Sequence, residues 1–182
     1  MPMAVTLATW TLADYHQMVV SGLLDRRRVE LGSGNIVEMA PESAFHSDRV
    51  DVAANYLRRL LGNRALIREG RPVTIPGASE PEPDIAVVKP QRYRNGHPGP
   101  TDIFWLVEIS NTTLEFDLGA KARAYAAGSV AEYWVIDAIN QRLIVHRQPE
   151  SESYRYQTNL TSGYVSTPAF PTIEISIEQL LS

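Results

Sequence analysis

The chain has 182 residues, 44% of them apolar and 21% charged, a balance that suits a folded protein and excludes a disordered or collagen-like one. It contains no cysteine, which rules out disulfides and thiolate metal sites. The net charge of −4 argues against binding nucleic acid through bulk charge, yet the charges are uneven: residues 20–100 hold 12 Lys/Arg against 10 Asp/Glu, and residues 101–182 hold 5 against 10.

At the N-terminus no basic segment leads into an apolar one, and Asp14 and His16 interrupt the early residues, so a secretory leader is not expected. With no cysteine and no apolar run of membrane-spanning length, the expectation is a cytoplasmic protein with no membrane partner. Length predicts one domain over residues 1–182. Thr11-Leu12-Ala13-Asp14 has the form of a capping box that opens a helix running to about Val20. Arg26, Arg27 and Arg28 come next. With Arg58, Arg59, Arg64, Arg68 and Arg71 they read either as solvated surface or as a phosphate-facing side opposite an acidic back.

"RVELGSGNIVEM" predicts a hairpin turning at Gly32-Ser33-Gly34-Asn35, where Gly and Asn supply positive φ. From Ser43 to Leu61 the apolar positions Val50, Ala54, Leu57 and Leu61 recur at helical spacing, and Gly62-Asn63 ends that helix. Short strands are expected at 65–69 and 72–75. In "PEPDIAVV", residues 81–88, Pro81 and Pro83 forbid a helix and suit entry to a strand. Residues 89–101 are a loop by composition, and "IFWLVEIS", residues 103–110, is the central strand. A helix over "DLGAKARAYAAG", strands over "EYWVID" and "RLIVHR" around an Ala138–Gln141 turn, a strand at 154–160 and a short helix at 177–181 complete the chain. The mixture predicts an α/β or α+β layout on one central sheet.

Two carboxylates stand out. Glu108 ends five large apolar residues, and Asp84 opens the preceding strand. If the two strands pair antiparallel with Asp84 opposite Glu108, Val88 falls opposite Phe104 and residues 89–103 make the connection. Facing carboxylates about 5 Å apart repel unless a cation bridges them. Mg²⁺, a hard ion that takes carboxylate oxygens, is the natural bridge, with Mn²⁺ as a substitute. Lys121 lies on the following helix, on one face with Asp117 and Tyr125, and its ammonium could orient a water or offset charge on a phosphate. Each residue also has an ordinary reading: a Pro-Asp turn, a strand end in water, a lysine paired with Asp117.

"PEPDIAVV", "WLVEIS" and "FDLGAKARAYAAGSVAEYWVID", in that order, closely resemble the Uma-two-type restriction endonuclease family of the PD-(D/E)XK nuclease superfamily. Upstream, "RRVELGSGNIVEMAPESAFHSDRV" resembles its N-terminal hairpin and helix entry, so the likeness spans about residues 10–150. The resemblance implies a restriction-endonuclease-like mixed sheet flanked by helices, with Asp84 and Glu108 holding a divalent metal. It makes Glu30 a possible third carboxylate and His46 a contact for substrate or water. The superfamily pattern places lysine two residues after the second acid; here Ser110 stands there, facing substrate, and Lys121 is the matching base in this family's own pattern. Tyr133, Trp134 and Val135 would pack the core.

The implied activity is Mg²⁺-dependent hydrolysis of phosphodiester bonds in DNA. Cleavage of both strands would need two sites, which a homodimer supplies. The alternative is a non-catalytic module on the same fold that binds nucleic acid or protein, a reading that Ser110 and the net acidity favour. Acyl transfer is unsupported, since there is no Gly-x-Ser-x-Gly elbow. No glycine-rich phosphate loop occurs, the four histidines lack zinc-ligand spacing, and Glu30 with Glu108 as a glycosidase pair has no other support.

Overall fold

A computed structural model describes residues 7–182. The chain begins with α1 (Leu12–Val20), the hairpin β1 (Val29–Gly32) and β2 (Asn35–Glu38), and the long helix α2 (Ala44–Leu61). Strands β3 (Leu66–Glu69), β4 (Ile85–Val88) and β5 (Ile103–Ser110) come after it. A helical stretch then runs through α3 (Leu114–Phe116), a π-helical turn (Asp117–Lys121) and α4 (Ala122–Ala127). Next come β6 (Glu132–Asp137), β7 (Arg142–Glu150), β8 (Ser153–Leu160), β9 (Tyr164–Thr167), β10 (Phe170–Ser176) and α5 (Ile177–Leu181).

Six strands form one sheet in the order β3-β4-β5-β6-β7-β8. Only β5 and β6 are parallel; the other neighbours pair antiparallel. Both faces are covered, which is why β5 carries apolar residues at consecutive positions instead of alternating ones. Trp105, Val107 and Ile109 face one layer, against Val50, Ala54, Leu57 and Leu61 of α2 and Leu180 of α5. Leu106 faces the other, with Ala122 and Tyr125 of α4. Tyr133, Trp134 and Val135 are fully buried, as their core role requires. This is the mixed sheet flanked by helices that the family resemblance implied.

The local signals act as expected at the helix ends. The Thr11–Asp14 capping box closes the start of α1. Ser43 accepts the His46 N–H at the start of α2, and Gly62 takes φ 53° at its end. At the β1–β2 turn the positive φ values fall on Ser33 (48°) and Gly34 (77°), not on Asn35. A two-residue turn of this kind needs left-handed backbone at both central positions. Gly34 is also fixed by space, because a Cβ there would meet the Thr9 Cβ at 2.9 Å.

Four features depart from the sequence reading. The segment 72–75 is not a sheet strand: Pro72 has no N–H to give, and Ile75 folds back to bridge Ser79 around Pro76-Gly77. Val73 and Ile75 are nevertheless buried. The helix after β5 starts at Leu114, not at Asp117, and contains the π turn. Val88 pairs with Ile103, not Phe104, because a bulge lies between Val87 and Val88. Finally, β9 and β10 form an unforeseen antiparallel pair.

Candidate active site

β4 and β5 pair antiparallel with Ile85 opposite Val107, so one step back sets Asp84 across from Glu108. The bulge sits at the other end of the pair and leaves this register intact. Ala86 and Leu106, two residues from the acids, both lie in the α4-side layer, so the two carboxylates share that face. Asp84 Oδ2 accepts the backbone N–H of Ile109 at 2.6 Å.

Glu108 is 2% exposed. The Tyr125 hydroxyl donates to its Oε1 at 2.7 Å, and Lys121 Nζ lies 2.9 Å from the same oxygen. The chain has two lysines against fifteen arginines, and this one is buried. The π turn positions it. Ala122 donates its N–H to the Asp117 carbonyl five residues back, widening the helix where Lys121 leaves it. Tyr133 donates its hydroxyl to the same carbonyl at 3.1 Å, and Thr113 donates to Asp117 Oδ2 at 2.6 Å. Asp117 is thus held by its own network, and the base expected to pair with it serves Glu108.

Asp84, Glu108 and Lys121 line one cavity of about 270 Å³, together with His46, Arg28 and Glu42. His46 Nε2 lies 3.1 Å from Asp84 Oδ1, so the histidine of the helix entry meets the strand acid directly. Glu30 is buried, accepts the Glu82 N–H at 3.1 Å and lines a hollow on the other side of Lys121, not this cavity. Ser110 is 1% exposed, with its hydroxyl 3.5 Å from that of Thr113. It is not among the cavity's lining residues, so the substrate contact expected of it has no opening in this geometry.

The cavity is short of positive charge. Five carboxylates line it (Glu42, Glu82, Asp84, Glu108 and Asp117) against the cations Arg28 and Lys121. Burial holds the Glu108 carboxyl well above the usual range, with Asp84 and Asp117 adding to the rise and Lys121 opposing it. Burial also raises Asp117, against the hydrogen bond from Thr113, and raises Glu82, against Arg28. The hydrogen bond to Asp84 raises the His46 imidazole. Burial works against the charge on Lys121, but Glu108, Glu30 and Asp84 prevail and raise its pKa. Crowded carboxyls that resist ionisation are what a divalent cation relieves. One ligand atom each from Glu42, His46 and Asp84 lies within 4.8 Å of the others. Carboxylate oxygens with a single imidazole fit Mg²⁺ or Mn²⁺.

Residues 12–178 match the model of the Uma2 family, described as "Putative restriction endonuclease". This chain belongs to the Uma2 family. The Uma2 fold here is similar to that of a "putative nuclease belonging to DUF820" from Anabaena variabilis ATCC 29413, with a TM-score of 0.67 and 18% identity over 94% of this chain and 97% of that one. At that identity the likeness concerns the fold. No curated protein matches the sequence. No helix of the described residues is long and apolar enough to cross a membrane.

Three groups of this Uma2 site were not singled out from sequence: Glu42, the Tyr125 hydroxyl and Glu82. Glu42 had a readable signal, since it stands four residues before His46 at the mouth of α2. Helical spacing places Tyr125 on the Lys121 face of the helix without giving it a role; its ring is buried and only its hydroxyl reaches the acid.

Proposed function

We propose that the protein is a metal-dependent endonuclease that hydrolyses phosphodiester bonds in DNA at the Asp84–Glu108–Lys121 cavity. The observation that carries this reading is the pair of acids from adjacent strands, on one face, with a buried ammonium 2.9 Å from one of them. Family membership and the excess of lining carboxylates support it.

Asp84 and Glu108 would hold Mg²⁺, with His46 and Glu42 beside Asp84 as further donors. When bound, the ion supplies Lewis-acid polarisation of the phosphodiester and a lowered pKa for water. Lys121 remains protonated at neutral pH and can donate to a phosphate oxygen as charge builds on it. Tyr125 keeps Glu108 in one rotamer through its hydroxyl. The Ile109 N–H fixes one oxygen of Asp84, so the strand acid keeps its aim without substrate, while His46, 3.1 Å from the other oxygen, would give up that hydrogen bond on ligating the ion.

Plasmid nicking tests the reading. The wild type should convert supercoiled to open-circle DNA with Mg²⁺ or Mn²⁺ and not with EDTA. Glu108→Ala should be inactive, and Lys121→Met should lose roughly 100- to 1000-fold, the scale of one preorganised electrostatic group. Intact plasmid with every protein and both ions would overturn it.

A further inference from the structure

The cavity that would receive a phosphodiester is itself acidic, so a polyanion needs attraction from somewhere else on the molecule. Next to it lies a second hollow lined by Asp25, Arg26, Arg27, Arg28, Val29 and Glu82. Arg28 and Glu82 line both hollows, so the two adjoin across these side chains. Arg28 is engaged by Glu42, but neither Arg26 nor Arg27 has an acidic partner among the described residues, and both are exposed.

The arginines do not sit on a loose loop. Backbone bonds from Asp25 to the Gly22 carbonyl and from Arg27 to the Leu24 carbonyl fold the turn, and Met39 donates to the Arg28 carbonyl at the base of the hairpin. The lining changes over a few residues, from five carboxylates against two cations in the cavity to three arginines against Asp25 and Glu82 here. A nucleic-acid backbone can lie across such a boundary, with the scissile phosphate in the cavity and a flanking phosphate on the guanidinium groups.

We propose that the Arg26–Arg27 turn is a phosphate clamp, which holds the DNA backbone next to the scissile bond and offsets the repulsion of the cavity. This inference rests on the nuclease reading above but concerns residues outside its chemistry. Arginine suits the role because its planar guanidinium meets a phosphate bidentately and stays charged at any working pH.

The test uses a parent carrying Asp84→Asn and Glu108→Gln, which keeps the shape of the acids and blocks hydrolysis. Binding of a short labelled DNA duplex is followed by anisotropy from about 50 to 200 mM salt, where each phosphate contact contributes about 0.9 to the slope of log affinity against log salt. Adding Arg26→Ala and Arg27→Ala should lower that slope by about 1 to 2 units. Adding Arg155→Ala, an exposed arginine on the edge strand β8, should leave it unchanged. Circular dichroism confirms that each variant is folded. A parent that binds with an unaltered slope in the double arginine variant overturns the clamp and leaves the catalytic reading standing. A parent with no affinity for DNA overturns both.

Discussion

The backbone N–H of Ile109 points at Asp84 Oδ2, 2.6 Å away, where the β4–β5 ladder would otherwise need a carbonyl. A residue assigned to catalysis therefore also closes the end of a sheet pair, and the two roles can be separated. Asp84→Asn keeps an acceptor for Ile109 and removes the charge; Asp84→Ala leaves a buried donor unpaired, at a cost of about 1–3 kcal/mol. Both variants should fail to nick plasmid. Thermal denaturation should place the Asn variant above the Ala variant, and equal melting points would show that the bond has no structural weight.

Tyr125 offers a similar separation on Glu108. Tyr125→Phe removes one hydrogen bond to a buried carboxyl and keeps the ring, so it should lose about 1.5–3 kcal/mol in urea titration. Tyr125→Ala also opens a cavity among Ala122, Tyr133 and their neighbours, and should lose about 3–5 kcal/mol. Activity should fall in Tyr125→Phe even where the protein is fully folded, because Lys121 alone then holds the Glu108 oxygen. Full activity in that variant would remove the tyrosine from the site.

Metal binding can be read without any substrate. An ion that binds only the folded state stabilises it by about 2.7 kcal/mol at a hundredfold excess over Kd. Mn²⁺ should raise the melting point of the wild type and have little effect on Asp84→Ala or Glu108→Gln. Glu42→Gln should give a partial response if Glu42, His46 and Asp84 share the ion. An identical rise in all variants would place the ion elsewhere.

His146 gives a pH dependence that is independent of the site. Its ring packs on Tyr133 and Tyr154, its Nε2 is buried without a hydrogen-bond partner among the described residues, and burial lowers its pKa from 6.5 to about 4. The unfolded chain takes up a proton below pH 6.5 that the folded chain refuses until about pH 4. Stability from this group is present above pH 6.5 and is lost as pH falls toward 4, by up to about 3 kcal/mol. His146→Phe should gain on the wild type steadily through that window. A constant difference in melting point from pH 7 to pH 4 would contradict the assignment.

Much of the fold was legible because β5 and α2 carry strong patterns: one a continuous apolar run, the other apolar residues at helical spacing closed by Ser43 and Gly62. The pairing of Asp84 with Glu108 was legible too, since side-chain alternation and the loop composition of residues 89–101 leave few registers. The π turn was not. It arises from tertiary demands, the hold of Glu108 on Lys121 and of Tyr133 on the Asp117 carbonyl, and no local propensity announces it. Segment 72–75 misled for the opposite reason: Val73 and Ile75 are buried as strand residues would be, but against a backbone that folds on itself. Ser110 shows the limit of fixed spacing. The superfamily lysine is absent two positions after Glu108, while an ammonium reaches that acid from eleven further along the chain.

That helical stretch holds one residue more than an α-helix would accommodate. Deleting a single residue between Asp117 and Lys121 would let that turn close as ordinary α-helix, with Lys121 and Tyr125 still four residues apart on one face. The amine and the phenol would both still face Glu108, but the widened turn that seats Asp117 against Thr113 and Tyr133 would be lost. A variant shortened by one residue there should therefore fold, and the activity it keeps would measure what the wide turn itself contributes.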